Sequence, residues 1–385
     1  PGIADTYRRT TAMIRINERD SYVIDLFRVS GGNNHCFSFH SGECGQVTTE
    51  GLSLVKQADE NGHYIGTYAG RNLPYPEQCD LDDPTGFRYL THVEKQLGNI
   101  GNFTADYNVC DTWNVHGSGK GAQTDVHLKL TALGEFNEVT LADVRPPEAK
   151  VGNPEKIRYV LARRSGENLQ SCFTSVIEPY RNESAIASIE TLPVKSEDGT
   201  AVQSMQARAL KVKLKYGRVD YIVNAADPSI KYIAEDENIQ IPFQGFFGVY
   251  SIENGIKRYY LNDMAYLADQ VNESCPSAAG TVVDFTRELQ MENEIAVKFE
   301  SSGISLQSLA GNDIYIENDG VYNAAYRICS AAPGEDGTVI LNIGDVTPVR
   351  SYVDEYDFKK GYVYDIEVGR SFRIPFALET QRETD

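Results

Sequence analysis

The chain has 385 residues and a formal net charge of −19. That size holds one large sandwich or a large and a small domain. Its acidity excludes general nucleic-acid binding, because a phosphate backbone would be repelled, and it disfavours a highly sulfated polyanion.

No apolar run reaches the roughly eighteen residues that a membrane span needs. No signal peptide opens the sequence, and Pro1 stands in place of an initiator Met, so a processed or partial gene product is expected. Tyr occurs 23 times, a usage that fills strands and can also stack on sugars.

Period-two alternation dominates from the start. Residues 11–16 read as a strand with Ile14 and Ile16 inward. Residues 21–29 form a strong strand, Gly31-Gly32-Asn33-Asn34 turns the chain, and residues 35–40 make the next strand, giving a predicted hairpin. Residues 125–131 alternate cleanly and bury Val126, Leu128 and Leu130. Residues 156–164 fit either a short helix or a strand, and 171–178 is a further strand. In 211–216 the pattern turns Val212, Leu214 and Tyr216 inward and aligns Lys211, Lys213 and Lys215 as a cationic stripe. Such a stripe keeps a strand soluble or tracks an anionic glycan.

Strands continue at 221–223, 246–252 and 257–261. A cluster of Asn, Ser, Pro and Gly follows over 269–280. Shorter strands then occupy 294–299, 313–317, 322–328, 339–343, 362–366 and 372–377. The expected organisation is all-β: a large antiparallel super-sandwich over residues 1–270 and a smaller β-sandwich-like unit over 271–385.

Seven cysteines, Cys36, Cys44, Cys79, Cys110, Cys172, Cys275 and Cys329, form no CxxC pair, which rules out a zinc ribbon or thioredoxin motif. Their spacing suits scattered thiols or one or two disulfides, with Cys79–Cys110 preferred. Asn102, Asn182 and Asn272 open glycosylation sequons.

Among chemistry-bearing residues, His35 and His40 stand five apart, so a regular strand sends them to opposite faces. Asp125 and His127 share a face, as half of a metal or acid/base site or as part of a solvated surface. Asp25 and Arg28 interrupt an apolar strand and need partners: structural ion pairing for both, or carboxylate binding by Arg28. Trp113, the single Trp, lies near Tyr107 in a loop-rich segment. Core packing is its plainer role and sugar stacking its sharper one. Spacing supports no zinc or calcium site, and the cofactor stays unknown.

The string Ser21-Tyr22-Val23-Ile24-Asp25-Leu26-Phe27-Arg28-Val29-Ser30-Gly31-Gly32, followed by His35-Cys36-Phe37-Ser38-Phe39-His40-Ser41-Gly42, resembles heparinase II/III-like proteins. So do Tyr7-Arg8-Arg9-Thr10, Val126-His127-Leu128-Lys129-Leu130, Glu138-Val139-Thr140-Leu141-Ala142-Asp143-Val144-Arg145-Pro146-Pro147, Tyr159-Val160-Leu161-Ala162-Arg163-Arg164-Ser165-Gly166 and Ser175-Val176-Ile177-Glu178-Pro179-Tyr180, in that order. The resemblance implies the β-super-sandwich that follows an (α/α) toroid in polysaccharide lyases of uronate-containing glycans. Those enzymes work by β-elimination, in which a base takes the proton beside the carboxylate and an acid protonates the leaving oxygen.

The toroid residues of that family lie before the Tyr-Arg-Arg match and have no counterpart here. Lyase activity is therefore expected only if upstream residues or another chain complete the site. On this reading His35 and His40 are the catalytic candidates. Arg28, Tyr107, Trp113 and His127 are the candidates for binding acidic polysaccharide, in an extracellular or periplasmic protein. The alternative is a non-enzymatic structural protein that assembles through an open sheet edge, as a homo-oligomer.

Overall fold

The computed structural model describes residues 4–77, 85–146, 153–237, 239–270, 274–320 and 324–383. Strands take 59% of the residues and helical turns 4%, so the protein is all-β. No described helix is long and apolar enough to cross a membrane.

One compact unit takes Pro1–Ala187 with Leu214–Tyr216. Its strands are β1 (Thr6–Arg15), β2 (Ser21–Ser30), β3 (Asn34–His40), β4 (Cys44–Glu50), β5 (Val55–Lys56), β6 (Leu90–Ile100), β7 (Phe103–Asp111), β8 (Ala122–Leu133), β9 (Phe136–Val144), β10 (Ile157–Ser165) and β11 (Gln170–Arg181). They build a six-stranded sheet, β1-β2-β11-β8-β7-β4, and a five-stranded sheet, β3-β10-β9-β6-β5. The ambiguous segment 156–164 is thus strand β10.

The two sheets share one aromatic core. Phe173 lies against Phe27 at 6.1 Å, Phe37 at 5.9 Å and Phe136 at 6.4 Å between ring centroids. Tyr107, Leu130, Val139 and Val160 close around them. Each such ring contributes about 1.5–3 kcal/mol by leaving water.

The predicted hairpin of 21–29 with 35–40 does not form. β2 pairs with β1 and β11, whereas β3 pairs with β10 in the other sheet. The chain crosses between sheets at Gly31-Gly32, and β10 to β11 crosses back beside it, tied by Gly31 N to Leu169 O and Leu169 N to Gly32 O at 3.0 Å each. The reason is packing. Phe27 and Phe37 must reach one core from opposite sides, which a flat hairpin cannot arrange. Gly31 makes the corner with φ +93°, and a Cβ there would stand 2.9 Å from Asp5 Oδ2.

The second unit takes Ser188–Lys213 with Gly217–Asp385, so the expected boundary after residue 270 falls inside it. Ala207–Leu214, Val219–Ala225, Ile239–Glu253 and Ile256–Leu267 pair antiparallel within an eight-stranded sheet, which the C-terminal strand Ala377–Glu383 joins. A seven-stranded sheet from Ala278–Phe285 to Ser371–Ile374 has its own core of Ile295, Val297, Ile314, Leu341 and Ile374.

The lysine stripe is corrected here. The strand ends at Leu214, leaving Tyr216 exposed, and Lys211 is buried on Asp236. Lys213 meets Glu190 at 3.4 Å and Lys215 meets Glu183 at 2.6 Å, so the stripe is neutralised residue by residue.

Candidate functional site

Alternation in β7 sends Phe103, Ala105 and Tyr107 into the core and Thr104, Asp106 and Asn108 to the opposite face. The same rule on β8 buries Leu130 and Ala132 and turns Asp125, His127 and Lys129 away from them. Strand register then aligns two cross-strand rows. Asn108 stands opposite His127, which stands opposite Tyr180. Asp106 stands opposite Lys129, which stands opposite Glu178.

These rows bring four side chains into direct contact. His127 Nδ1 is 3.0 Å from Asp106 Oδ1, and the Tyr180 hydroxyl donates to Asp106 Oδ2. The imidazole stacks on the Tyr180 ring at 4.8 Å and 13°. Asn108 Nδ2 donates to Thr124 O at 2.8 Å and reaches His127 Nε2 at 3.3 Å. A carboxylate only accepts and an amide nitrogen only donates, so the network fits a neutral imidazole with its proton on Nδ1 and an accepting Nε2.

Burial, and then the hydrogen bond to Asp106, push the Tyr180 phenol well above its ordinary range. Tyr180 therefore keeps its proton at neutral pH, shared with Asp106, and the lone pair of His127 Nε2 faces the Asn108 amide. Solvent reaches the cluster: His127 keeps 28% and Asp106 17% of the side-chain surface exposed. Lys129 forms no ion pair among the described residues and is a cation free to meet a carboxylate. Glu178 has another task. Its carboxylate accepts from Ala185 N, Ile186 N and Ser184 Oγ at 2.7–3.1 Å and holds the turn after β11.

The remaining sequence candidates lie elsewhere. His35 is buried, with Nδ1 2.9 Å from Ser171 Oγ and Nε2 2.7 Å from Gly31 O, so both nitrogens brace the sheet corner. His40 is exposed, its Nδ1 2.7 Å from Ser41 O and its ring 4.4 Å from Tyr159. Arg28 is 2% exposed and Tyr107 is fully buried, which makes both interior groups rather than parts of a binding surface. Asp25 takes Arg9 in a bidentate pair at 2.8 and 2.6 Å. Asp125 pairs with Arg181 at 3.3 Å instead of with His127.

Trp113 corrects the core-packing role: it is 67% exposed on the β7–β8 turn. That turn is shaped by Asp111, whose carboxylate accepts from Val115 N and His116 N at 2.7 and 2.9 Å. The preferred Cys79–Cys110 bridge and the Asn272 sequon fall on residues outside those described. The described cysteines are all free thiols.

Sequence reasoning picked Tyr107 and passed over its neighbours Asp106 and Asn108, although the alternation Phe103, Ala105, Tyr107 already assigns Tyr107 to the core. Tyr180 entered only as the last residue of the Ser175–Tyr180 stretch that resembles heparinase II/III-like proteins, beyond the strand read over 171–178. A second polar cluster neutralises itself: Arg158 meets Asp143 at 3.0 Å and Glu94 at 2.7 Å, and Lys156 and His92 also reach Asp143. Among the described residues, no group of three or more His, Cys, Asp or Glu side chains is placed to hold a metal ion.

The chain matches no protein-family model and no curated protein.

Proposed function

We propose that the chain is a polysaccharide-lyase-related module, extracellular or periplasmic, that binds acidic, uronate-containing polysaccharide on the polar face of β7, β8 and β11. The observation that carries this reading is the contact set of His127, Asp106, Tyr180 and Asn108, with the uncommitted Lys129 in the adjacent row.

A uronate needs its carboxylate neutralised before the neighbouring proton can leave, and Lys129 supplies that. β-Elimination then needs a base and an acid. His127, oriented by Asp106, supports the first role, and Tyr180, held protonated, supports the second. In this reading His35 and His40 serve the framework. Full activity, as the motif resemblance to heparinase II/III-like proteins implies, draws further groups from a toroid domain or another chain.

The test uses the folded chain with alginate, polygalacturonate and chondroitin as separate probes. Binding is followed by calorimetry, and elimination by the ultraviolet absorbance of the unsaturated uronate. His127→Ala and Tyr180→Phe are expected to weaken binding of the preferred glycan at least tenfold, about 1.4 kcal/mol, with an unchanged circular dichroism spectrum. Binding that survives both substitutions would sink the proposal.

A second reading, assembly through a sheet edge, is favoured by one observation. β1 pairs with β2 over ten residues, and among the described residues no strand pairs with its other side. Such an edge is a template for strand addition.

A further inference from the structure

The second unit carries a surface that neither reading uses. Val349–Tyr352 and Tyr362–Tyr364 pair as a two-stranded antiparallel ribbon with Tyr352 opposite Tyr362. Tyr364 lies two residues on and shares the face of Tyr362. The rings continue as a row. Phe358 is 4.3 Å from Tyr352, Tyr352 is 5.4 Å from Tyr362, Tyr362 is 6.5 Å from Tyr364, and Tyr364 is 5.2 Å from Phe285. Phe285 is buried and anchors the row, while Phe358 at the far end is 62% exposed and Tyr356 beside it is 97% exposed. Phe358 and Tyr356, left this open, contribute little to a core, whereas the half-buried Tyr364 packs against the core of the second unit.

The polar groups around the row narrow what it would hold. Arg287 is taken by Asp284 at 2.5 Å, Lys360 by Asp354 at 2.5 Å and Arg350 by Asp319 at 2.8 Å. These three cations are taken, which leaves the exposed Lys359 beside Phe358, and the net charge of −19 disfavours an anion further. Among the described residues, the Tyr352 and Tyr362 hydroxyls have no hydrogen-bond partner, whereas that of Tyr364 donates to Arg287 O at 3.3 Å. The surface thus offers aromatic rings and two free hydroxyls in a line, with Arg287, Lys360 and Arg350 each held by a carboxylate.

We infer that this row is a binding surface for a neutral polysaccharide. Pyranose rings present C–H faces to the aromatic rings and hydroxyls to the tyrosine oxygens. An extended row suits a chain of repeated rings, whereas a protein anchor seeks a desolvated pocket. The site is separate from the His127 cluster in residues and in ligand charge.

Affinity electrophoresis of the full chain through gels containing hydroxyethylcellulose, barley β-glucan or xylan tests it, with alginate as the anionic counter-probe. Retardation by at least one neutral glycan is expected. Phe358→Ser and Tyr362→Ala should weaken it at least tenfold, while His127→Ala leaves it unchanged. Phe358 is exposed, so Phe358→Ser keeps the fold, as circular dichroism will show. The inference is overturned by no retardation in any neutral gel, or by retardation indifferent to both substitutions. It is equally overturned if Phe358→Ser abolishes only a concentration-dependent dimer, which would make the surface a protein contact.

Discussion

His127 shows how one imidazole becomes a site while two others become scaffold. His35 spends both nitrogens on neighbours within the corner, and His40 stands apart from any acid. Among the described residues, only His127 meets a carboxylate, a phenol and an amide together. A sharper energetic contrast lies at Asp25, which is 1% exposed and relies on Arg9. Removing the guanidinium strands a buried carboxylate. Arg9→Ala is therefore expected to cost about 3 kcal/mol, measured as a shift of the urea midpoint at constant slope. A loss under about 0.5 kcal/mol, the size of a surface pair, would show that Asp25 finds another partner.

The corner and the C-terminal strand are where strands depend on distant chain. Replacing Gly31 by Val forces a β-branched residue into positive φ and towards Asp5. We expect a loss of about 2 kcal/mol or more, read by thermal melting. A melting curve unchanged by this substitution would mean that the corner relaxes freely.

At the other end of the chain, Tyr259 OH, Lys257 Nζ and Arg382 Nη2 converge on Asp269 at 2.6, 2.8 and 2.5 Å. Burial raises the Asp269 carboxyl, but these donors outweigh it and bring the group down to about 2. Because the folded value lies below the ordinary one near 3.9, the pair stabilises fully above that ordinary value. Its contribution fades as pH falls towards about 2. Asp269 is half-exposed, so this contribution is about 1 kcal/mol. Asp269→Asn should remove that pH dependence and loosen amide exchange in Ala377–Glu383. Equal exchange in variant and parent would refute the link.

For the protein as an assembly, β1, unpaired on one side among the described residues, carries three arginines and no carboxylate, and one of the three, Arg9, is already held by Asp25. An acidic extended segment is its complement, and salt should release it. Light scattering after size exclusion is expected to find assemblies that dissociate as ionic strength rises. A monomer at every concentration and salt would remove the assembly reading.

The all-β class, strands β1, β2, β3, β8 and β11 and the inward Leu130 of β8 were legible because side chains alternate with period two, a rule local to each strand, whereas β7, read as part of a loop-rich segment, was not. The corner at Gly31-Gly32, the neutralised lysines, the exposure of Trp113 and the meeting of Asp106, Asn108, His127 and Tyr180 were not. Each depends on which strand lies beside which and in what register. In the first unit those choices are made when two sheets close over Phe27, Phe37, Phe136 and Phe173, and only the folded core decides them.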